Sequence, residues 1–307
     1  VAKRISIETS HPQWLVERWI ELFGPDETLR ICQLNNTPAP VTVRINRTKT
    51  TPEEAIELLL DQGVTAKPST VAPDGLEIER GSVQKTDLIE RGYLSLQDES
   101  SMLVARALGA QTSDYVLDSC AAPGGKAMHI AEGLTTGTLQ ALDLHPHKIK
   151  LIDQQAMRLG LTTVKAEALD ARKAGERFEA ESFDRILVDA PCSGLGVIRR
   201  KPDIKWTKRP EQLEQLPKIQ RDILTSVLPL VKKGGTFVYS TCTIDPVENE
   251  EQTAFILSQG FDFDASFATR MPESVRHLIG DRAELKLLPT TVGTDGFYIA
   301  AFKKRED

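Results

Sequence analysis

Tyr115-Val116-Leu117-Asp118-Ser119-Cys120-Ala121-Ala122-Pro123-Gly124-Gly125-Lys126 is the stretch on which the fold turns. A short apolar strand, Tyr115 to Ser119, runs into a turn of small residues, and a helix is expected over Ala127 to Gly133. Such a turn lets backbone approach a ligand where a helix begins. It is not the GxGxxG of dinucleotide folds. Nor is it a P-loop, because Lys126 is followed by Ala127 rather than Ser or Thr.

Downstream of this turn, strands are expected at Gly137 to Asp143, Thr162 to Ala166, Phe183 to Asp189, Gly235 to Ser240 and Phe297 to Phe302. Helical patterns lie between them at His147 to Leu159, Glu211 to Val231 and Glu248 to Gly260. The alternation predicts a mostly parallel α/β sheet. Upstream, Trp14, Leu15, Trp19, Ile20, Leu22 and Phe23 recur at helical spacing, and Gly24-Pro25-Asp26 breaks the run before a second helix ending near Asn35. A strand at Val41 to Asn46, a helix over Thr51 to Gln62 opened by a Thr51/Glu54 capping box, and two strands within Val64 to Glu79 form a small α+β module. Ser95 to Leu108 reads as a strand end and a helix capped by Asp98 or Ser100.

The 307 residues carry a formal charge of -6, so the chain is not basic all over, as the simplest nucleic-acid binders are. Local patches run the other way. Arg199, Arg200, Lys201, Lys205, Lys208 and Arg209 face a single acid, Asp203, with Trp206 among them, a composition suited to phosphate contact and base stacking. Arg44 and Arg47, on and just after the Val41 strand, are further candidates for RNA contact. No uncharged apolar run reaches the roughly eighteen residues of a membrane span, no secretory signal opens the chain, and a cytoplasmic protein is expected. Cys32, Cys120, Cys192 and Cys242 are too scattered for a zinc ribbon, and no structural metal is expected.

Ligands of open α/β sheets gather beyond the carboxyl ends of the strands. There, Asp143 can accept the two hydroxyls of an adenosine ribose and Asp170 an adenine amine, which favours S-adenosylmethionine over a dinucleotide. The fourth strand ends in Asp189-Ala190-Pro191-Cys192-Ser193-Gly194 and the fifth in Ser240-Thr241-Cys242-Thr243, so two thiols emerge beside the cofactor. Cytosine carbon-5 is too weak a nucleophile for a sulfonium methyl until a thiolate adds at carbon-6. The proton on carbon-5 must then leave to a base before the thiolate is eliminated. Cys242, Cys192 and Asp189 fit these needs, with Lys126 placed to lower a thiol pKa. The residues alone leave the roles of the two cysteines interchangeable.

These motifs, with Glu248-Asn249-Glu250 after the second cysteine, resemble the Sun/Fmu family of RNA cytosine-5 methyltransferases, and most closely its RsmB-like members acting on 16S ribosomal RNA. The likeness spans nearly the whole chain. It implies a Rossmann-like, seven-stranded S-adenosylmethionine methyltransferase sheet over 94–307, preceded by a helical and α+β RNA-contacting module over 1–93. It also implies Cys242 as the attacking thiol, Cys192 as the residue assisting release, and Asp189 near the cytosine. Cofactor contacts are implied from Cys120, Ala121, Ala122, Pro123, Gly124, Gly125 and Lys126, and at Asp143, Asp170 and Asp189. RsmB-like enzymes commonly carry a NusB-like helical domain ahead of this region, which these 307 residues do not include. The other readings are the same chemistry on tRNA, 23S rRNA or DNA, a non-catalytic RNA-binding protein of this fold, and an NAD-dependent oxidoreductase, which the missing GxGxxG disfavours.

Overall fold

The computed structural model describes residues 1–307 and contains two sheets. The smaller is built from β1 (Thr42–Ile45), β2 (Thr65–Pro68), β3 (Gly75–Arg80) and β4 (Leu94–Leu96), in the order β2-β3-β1-β4 and antiparallel throughout. Its helix, Pro52–Asp61, opens with the expected capping box between Thr51 and Glu54. Leu94–Leu96 pairs with β1, so this sheet extends three residues beyond position 93.

The larger sheet comprises β5 (Tyr115–Asp118), β6 (Thr138–Asp143), β7 (Val164–Ala168), β8 (Phe183–Asp189), β9 (Val231–Thr241), β10 (Phe261–Phe263), β11 (Glu284–Leu287) and β12 (Phe297–Lys304). Its order is β7-β6-β5-β8-β9-β12-β10, and β11 joins the same outer edge of β12 as β10. The five central strands are parallel and β12 runs against β9. Strands β5 and β6 are almost wholly buried because helices cover both faces, which is why they read as mainly apolar without a strict alternation. The sheet has eight strands where the resemblance implied seven and the residues marked six; Phe261–Phe263 and Glu284–Leu287 are too short to stand out from the loops around them. Val164–Ala168 begins two residues later than its expected position. The strand order reverses at β5, where ligands bind in open α/β sheets.

The helices Gln13–Phe23 and Pro25–Asn35 do not pack on the small sheet. Leu15, Val16, Trp19, Ile31 and Cys32, with Ile5 of an additional helix at Ala2–Thr9, form a core with Leu195, Ile198 and Ile244 of the loops that follow β8 and β9 and with Leu213 of the helix Pro210–Val227. The amino-terminal helices thus brace the loops that carry the two candidate thiols.

The two sheets are joined by buried polar contacts. Arg44, expected to meet RNA, is 1% exposed, ion-paired with Glu132 and hydrogen-bonded to Gln97 Oε1 at 2.7 Å. Its position on β1 points it into the joint between the sheets, where solvent and RNA cannot reach. Arg158 donates to the Ile89 and Leu94 carbonyls at 2.6 and 2.9 Å and to Ser95 Oγ at 2.8 Å. Removing one member of a buried pair strands the other charge, at a cost of about 3–5 kcal/mol. Glu132→Ala is therefore expected to lower the unfolding free energy by about that amount in urea melts. A loss under about 1 kcal/mol would show that this pair does not hold the sheets together.

Candidate active site

Parallel pairing of β8 with β9 sets Asp189 opposite Ser240, so the loops after both strands leave the sheet side by side. Cys192 lies three residues past the end of β8 and Cys242 one past the end of β9. Their sulfurs are 3.3 Å apart. Gly196 ties the two loops: its N–H donates to the Cys242 carbonyl at 2.9 Å and its carbonyl accepts from Gly296 N at 2.8 Å. A Cβ at Gly196 would stand 2.1 Å from the Gly296 oxygen, so only glycine allows this approach.

Behind the thiols, Lys126 Nζ donates to Asp189 Oδ2 at 2.7 Å, and Ser240 Oγ donates to Asp189 Oδ1 at 2.8 Å. The ammonium also faces the Phe297 ring, 5.3 Å from its centroid. Burial opposes the Lys126 charge, but Asp189 outweighs burial and holds the pKa above its ordinary value.

The two thiols are not equivalent. The hydrogen bond between them, from Cys192 to Cys242, pushes Cys192 well up and draws Cys242 down. Burial acts against a thiolate at both positions, and Asp189 acts against one at Cys242. The charges of Lys126 and Lys201 favour the thiolate at Cys242, whereas Glu248 disfavours one at Cys192. The pair is therefore biased toward a proton on Cys192 and a thiolate on Cys242.

Two clefts meet at this pair. One, of about 480 Å³, is lined by Asp143, Asp170, Cys120, Ala122, Ile223 and Cys192. The other, of about 540 Å³, is lined by Ala121, Pro123, Gly125, Lys126, Phe297 and Lys201. Cys120, Ala122, Asp189 and Cys242 line both. A larger cleft of about 830 Å³ between the helices Gln13–Phe23 and Pro210–Val227 lies away from the thiols and contains none of the candidate site residues. Gly124 lines neither of the two site clefts and contributes its left-handed backbone, φ 115°, where the helix Gly125–Ala131 starts.

The residues fit the cationic cofactor expected from the sequence. Asp143 Oδ1 accepts from His145 N at 3.1 Å, leaving Oδ2 without a protein partner. Asp170 accepts from its neighbour Arg172 on both oxygens, at 3.0 and 2.8 Å, so less of its accepting capacity is left for a ligand. Asp118 was not singled out in the sequence. It closes β5 with both oxygens buried and without hydrogen-bond partners, and burial followed by the nearby Asp189 charge pushes its pKa up to about 7. A lone Asp at a strand end looks like any turn residue, and only its burial sets it apart.

The basic stretch divides. Lys205 is 7% exposed and donates to Asn36 Oδ1 at 3.1 Å, so it anchors the amino-terminal helices and is not available to RNA. Arg200 is held by Asp98 and Asp295, both at 2.8 Å, and by the Pro40 carbonyl at 3.1 Å, which makes it a strut at the cleft mouth. Arg199 donates to the Pro38 carbonyl at 2.7 Å. Lys201 and Trp206 remain exposed, and Arg47 is half-exposed beside Asp74. The shared error is physical: in a loop with few regular backbone hydrogen bonds, arginine and lysine satisfy carbonyls and carboxylates of the fold itself.

A small-residue loop on β5, an ammonium–carboxylate pair and two thiols at the ligand edge of this sheet define a Rossmann-like methyltransferase. The chain belongs to the RsmB/F family of 16S rRNA methyltransferases: the sequence model of that family, described as 16S rRNA methyltransferase RsmB/F, matches residues 105–303. The ferredoxin-like domain of RsmF/B-like methyltransferases matches residues 11–84. The chain is 48% identical over 306 residues to a probable ribosomal RNA small subunit methyltransferase B of Bacillus subtilis, covering 99% of this chain and 68% of the relative. It is 34% identical over 298 residues to ribosomal RNA small subunit methyltransferase B of Citrobacter koseri, covering 96% and 67%. Among solved structures, PH0851 superposes with a TM-score of 0.89 at 28% identity, covering 99% of this chain and 68% of that one. A methyltransferase homologue from Pyrococcus horikoshii superposes at 0.82 and 26%, covering 98% of each.

The unequal thiols can be read without substrate. Iodoacetamide at neutral pH is expected to label Cys242 well before Cys192, with the pH profile of labelling setting the Cys242 pKa below that of an ordinary thiol. Cys192→Ala removes the donor and is expected to move that profile upward; equal labelling of both thiols in the unsubstituted chain would refute the assignment.

Proposed function

We propose that this chain transfers a methyl group from S-adenosylmethionine to carbon-5 of a cytosine in RNA, through a covalent bond between Cys242 and the base. The observation that carries the reading is the 3.3 Å pair of sulfurs at the junction of two clefts, one lined by adenosine-type acceptors. When bound, the cofactor supplies an electrophilic methyl on a sulfonium. Asp143, Asp170 and the Cys120 to Lys126 loop would hold it, and Asp118 would compensate its positive charge.

The chain's own residues account for the other steps. Cys242, as the thiolate, adds to carbon-6 and makes carbon-5 nucleophilic. Lys126 stabilises that thiolate beforehand and positions Asp189 at the base. The carbon-5 proton then leaves to a base, for which Asp189 is the carboxylate at the junction. The carbon-6 to sulfur bond breaks as electrons return to Cys242, and the Cys192 thiol stabilises the departing sulfur by donating to it. The target base has to be unpaired or flipped to enter, and the exposed Lys201, Trp206 and Arg47 are the candidates to grip the strand around it. The family description and both curated relatives favour small-subunit rRNA, and the proposed substrate is 16S rRNA before subunit assembly.

Incubation of rRNA and cofactor with Cys242→Ala is expected to give neither methylation nor a denaturant-resistant protein–RNA adduct. Cys192→Ala is expected to accumulate that adduct because release slows. An adduct formed by Cys242→Ala would assign the attack to another residue.

Cofactor affinity supplies a second test. A cationic ligand needs Asp118 ionised, and a carboxyl raised to about 7 is protonated as pH falls through that value. Affinity is therefore full above pH 7 and weakens by up to about tenfold per unit below it. Asp118→Asn is expected to bind more weakly at pH 8 and to lose this dependence in calorimetric titrations. An unchanged slope in the variant would place the titration elsewhere.

A further inference from the structure

Glu248 lies outside the chemistry described above, yet it is 1% exposed and sits directly behind Cys192. Its Oε1 accepts from Ser193 N at 2.9 Å and from Gln220 Nε2 at 3.1 Å, and its Oε2 accepts from Ser193 Oγ at 2.6 Å. Ser193 is the residue after Cys192, and its hydroxyl also meets Thr243 Oγ1, on the residue after Cys242, at 2.8 Å. One carboxylate thereby fixes the backbone after Cys192 and, through the Ser193 hydroxyl, reaches the loop after Cys242.

No cation pairs with it directly, and Arg18, bonded to Asp245, acts on it only from beyond ion-pair distance. Lys126 is spent on Asp189 and Arg18 on Asp245, the latter at 2.9 Å, and no cationic side chain lies within ion-pair distance of Glu248. Tyr239 Oη approaches only the Glu248 backbone carbonyl, at 2.6 Å. Neutral donors alone hydrogen-bond the carboxylate; burial raises its pKa, and in its ionised form its negative charge disfavours a thiolate at Cys192. A buried, unpaired charge is costly, and a neutral side chain of the same shape would hold the loops as well. Retaining the charge therefore calls for a role beyond geometry.

We propose that Glu248 is a positioning residue that orients Cys192 through Ser193 and, by its charge, keeps Cys192 the proton-bearing partner of the thiol pair. The inference rests on the release role assigned to Cys192, which requires a thiol, not a thiolate, beside the departing Cys242 sulfur. The second sulfur then serves as a donor and does not compete for the base.

Glu248→Gln separates charge from shape. Its amide oxygen can accept from Ser193 N and Gln220, while its amide nitrogen donates to Ser193 Oγ, which remains free to donate to Thr243. The first measurement needs no substrate: in a Cys242→Ala background, Glu248→Gln is expected to speed iodoacetamide labelling of Cys192 at pH 8 by on the order of tenfold, as the thiolate fraction rises. The second follows rRNA methylation by Glu248→Gln alone, with the first turnover near the unsubstituted rate, steady-state turnover several-fold slower, and the covalent adduct accumulating. Unchanged labelling together with unchanged steady-state turnover would overturn the proposal. Faster labelling with a chain inactive on RNA even before substitution would leave the Glu248 effect standing and refute the functional reading it rests on. Glu248→Ala, which also removes the hydrogen bonds, is expected to slow the first turnover as well; if it fails to fold, Glu248→Gln decides alone.

Discussion

Everything at the site depends on the register between β8 and β9. Pairing Asp189 with Ser240 brings two strand ends level, and the loops beyond them start from neighbouring points. A slip of one residue would turn the side chains of one strand to the opposite face and separate the thiols. The register is held from inside by Ile186, Val188, Phe237 and Tyr239, all fully buried, and from outside by the Ser240 hydroxyl on Asp189. Beyond the strands, hydrogen bonds through Gly196 carry the alignment on to the cysteines where regular pairing has ended.

The amino-terminal third protects that alignment. Loops are ordinarily the mobile part of an α/β fold, because their backbone groups look to water for partners. Here Leu195, Ile198 and Ile244 are buried against Trp19 and Ile31, so the loops after β8 and β9 share a core with separate helices. The small sheet is fixed to the large one independently, through Arg44, Arg158 and Asn46, whose amide reaches the Leu159 carbonyl at 3.0 Å. Two braces on different sides let the clefts stay open for ligands while the thiols stay in contact.

The sheet was legible in the sequence because parallel strands buried on both faces carry short apolar runs bounded by turn residues, as at Ile186-Leu187-Val188. The thiols were legible because cysteines at two strand ends are poor core fillers. Three features were not. Glu248 was read as the start of a helix, but the helix opens at Glu250, and the turn after Pro246 points Glu248 inward. Asp118 had no distinguishing neighbour in sequence, since its isolation is created by strands folded over it. Arg44 and Lys205 carried the right charge for RNA but sit where distant elements meet, and a contact such as Arg44 to Glu132, or Lys205 to Asn36, leaves no local signature.

Charge compensation divides the buried acids into two kinds. Glu132, Asp245 and Asp264 are each matched by an arginine, and they lie where the fold needs a permanent joint. Asp118 and Glu248 lack an ion-pair partner, as do Glu99 and Asp143, and Asp118 and Glu248 border the chemistry-bearing loops. Pairing either with an arginine would relieve a desolvation cost and is open to evolution through a single substitution nearby. In the function proposed above, their charges suit a site that accepts a positive charge at one end and holds a proton at the other. In that proposed function, Asp118 compensates the cation that arrives with the cofactor, and Glu248 keeps the proton on Cys192 while Cys242 gives its own up.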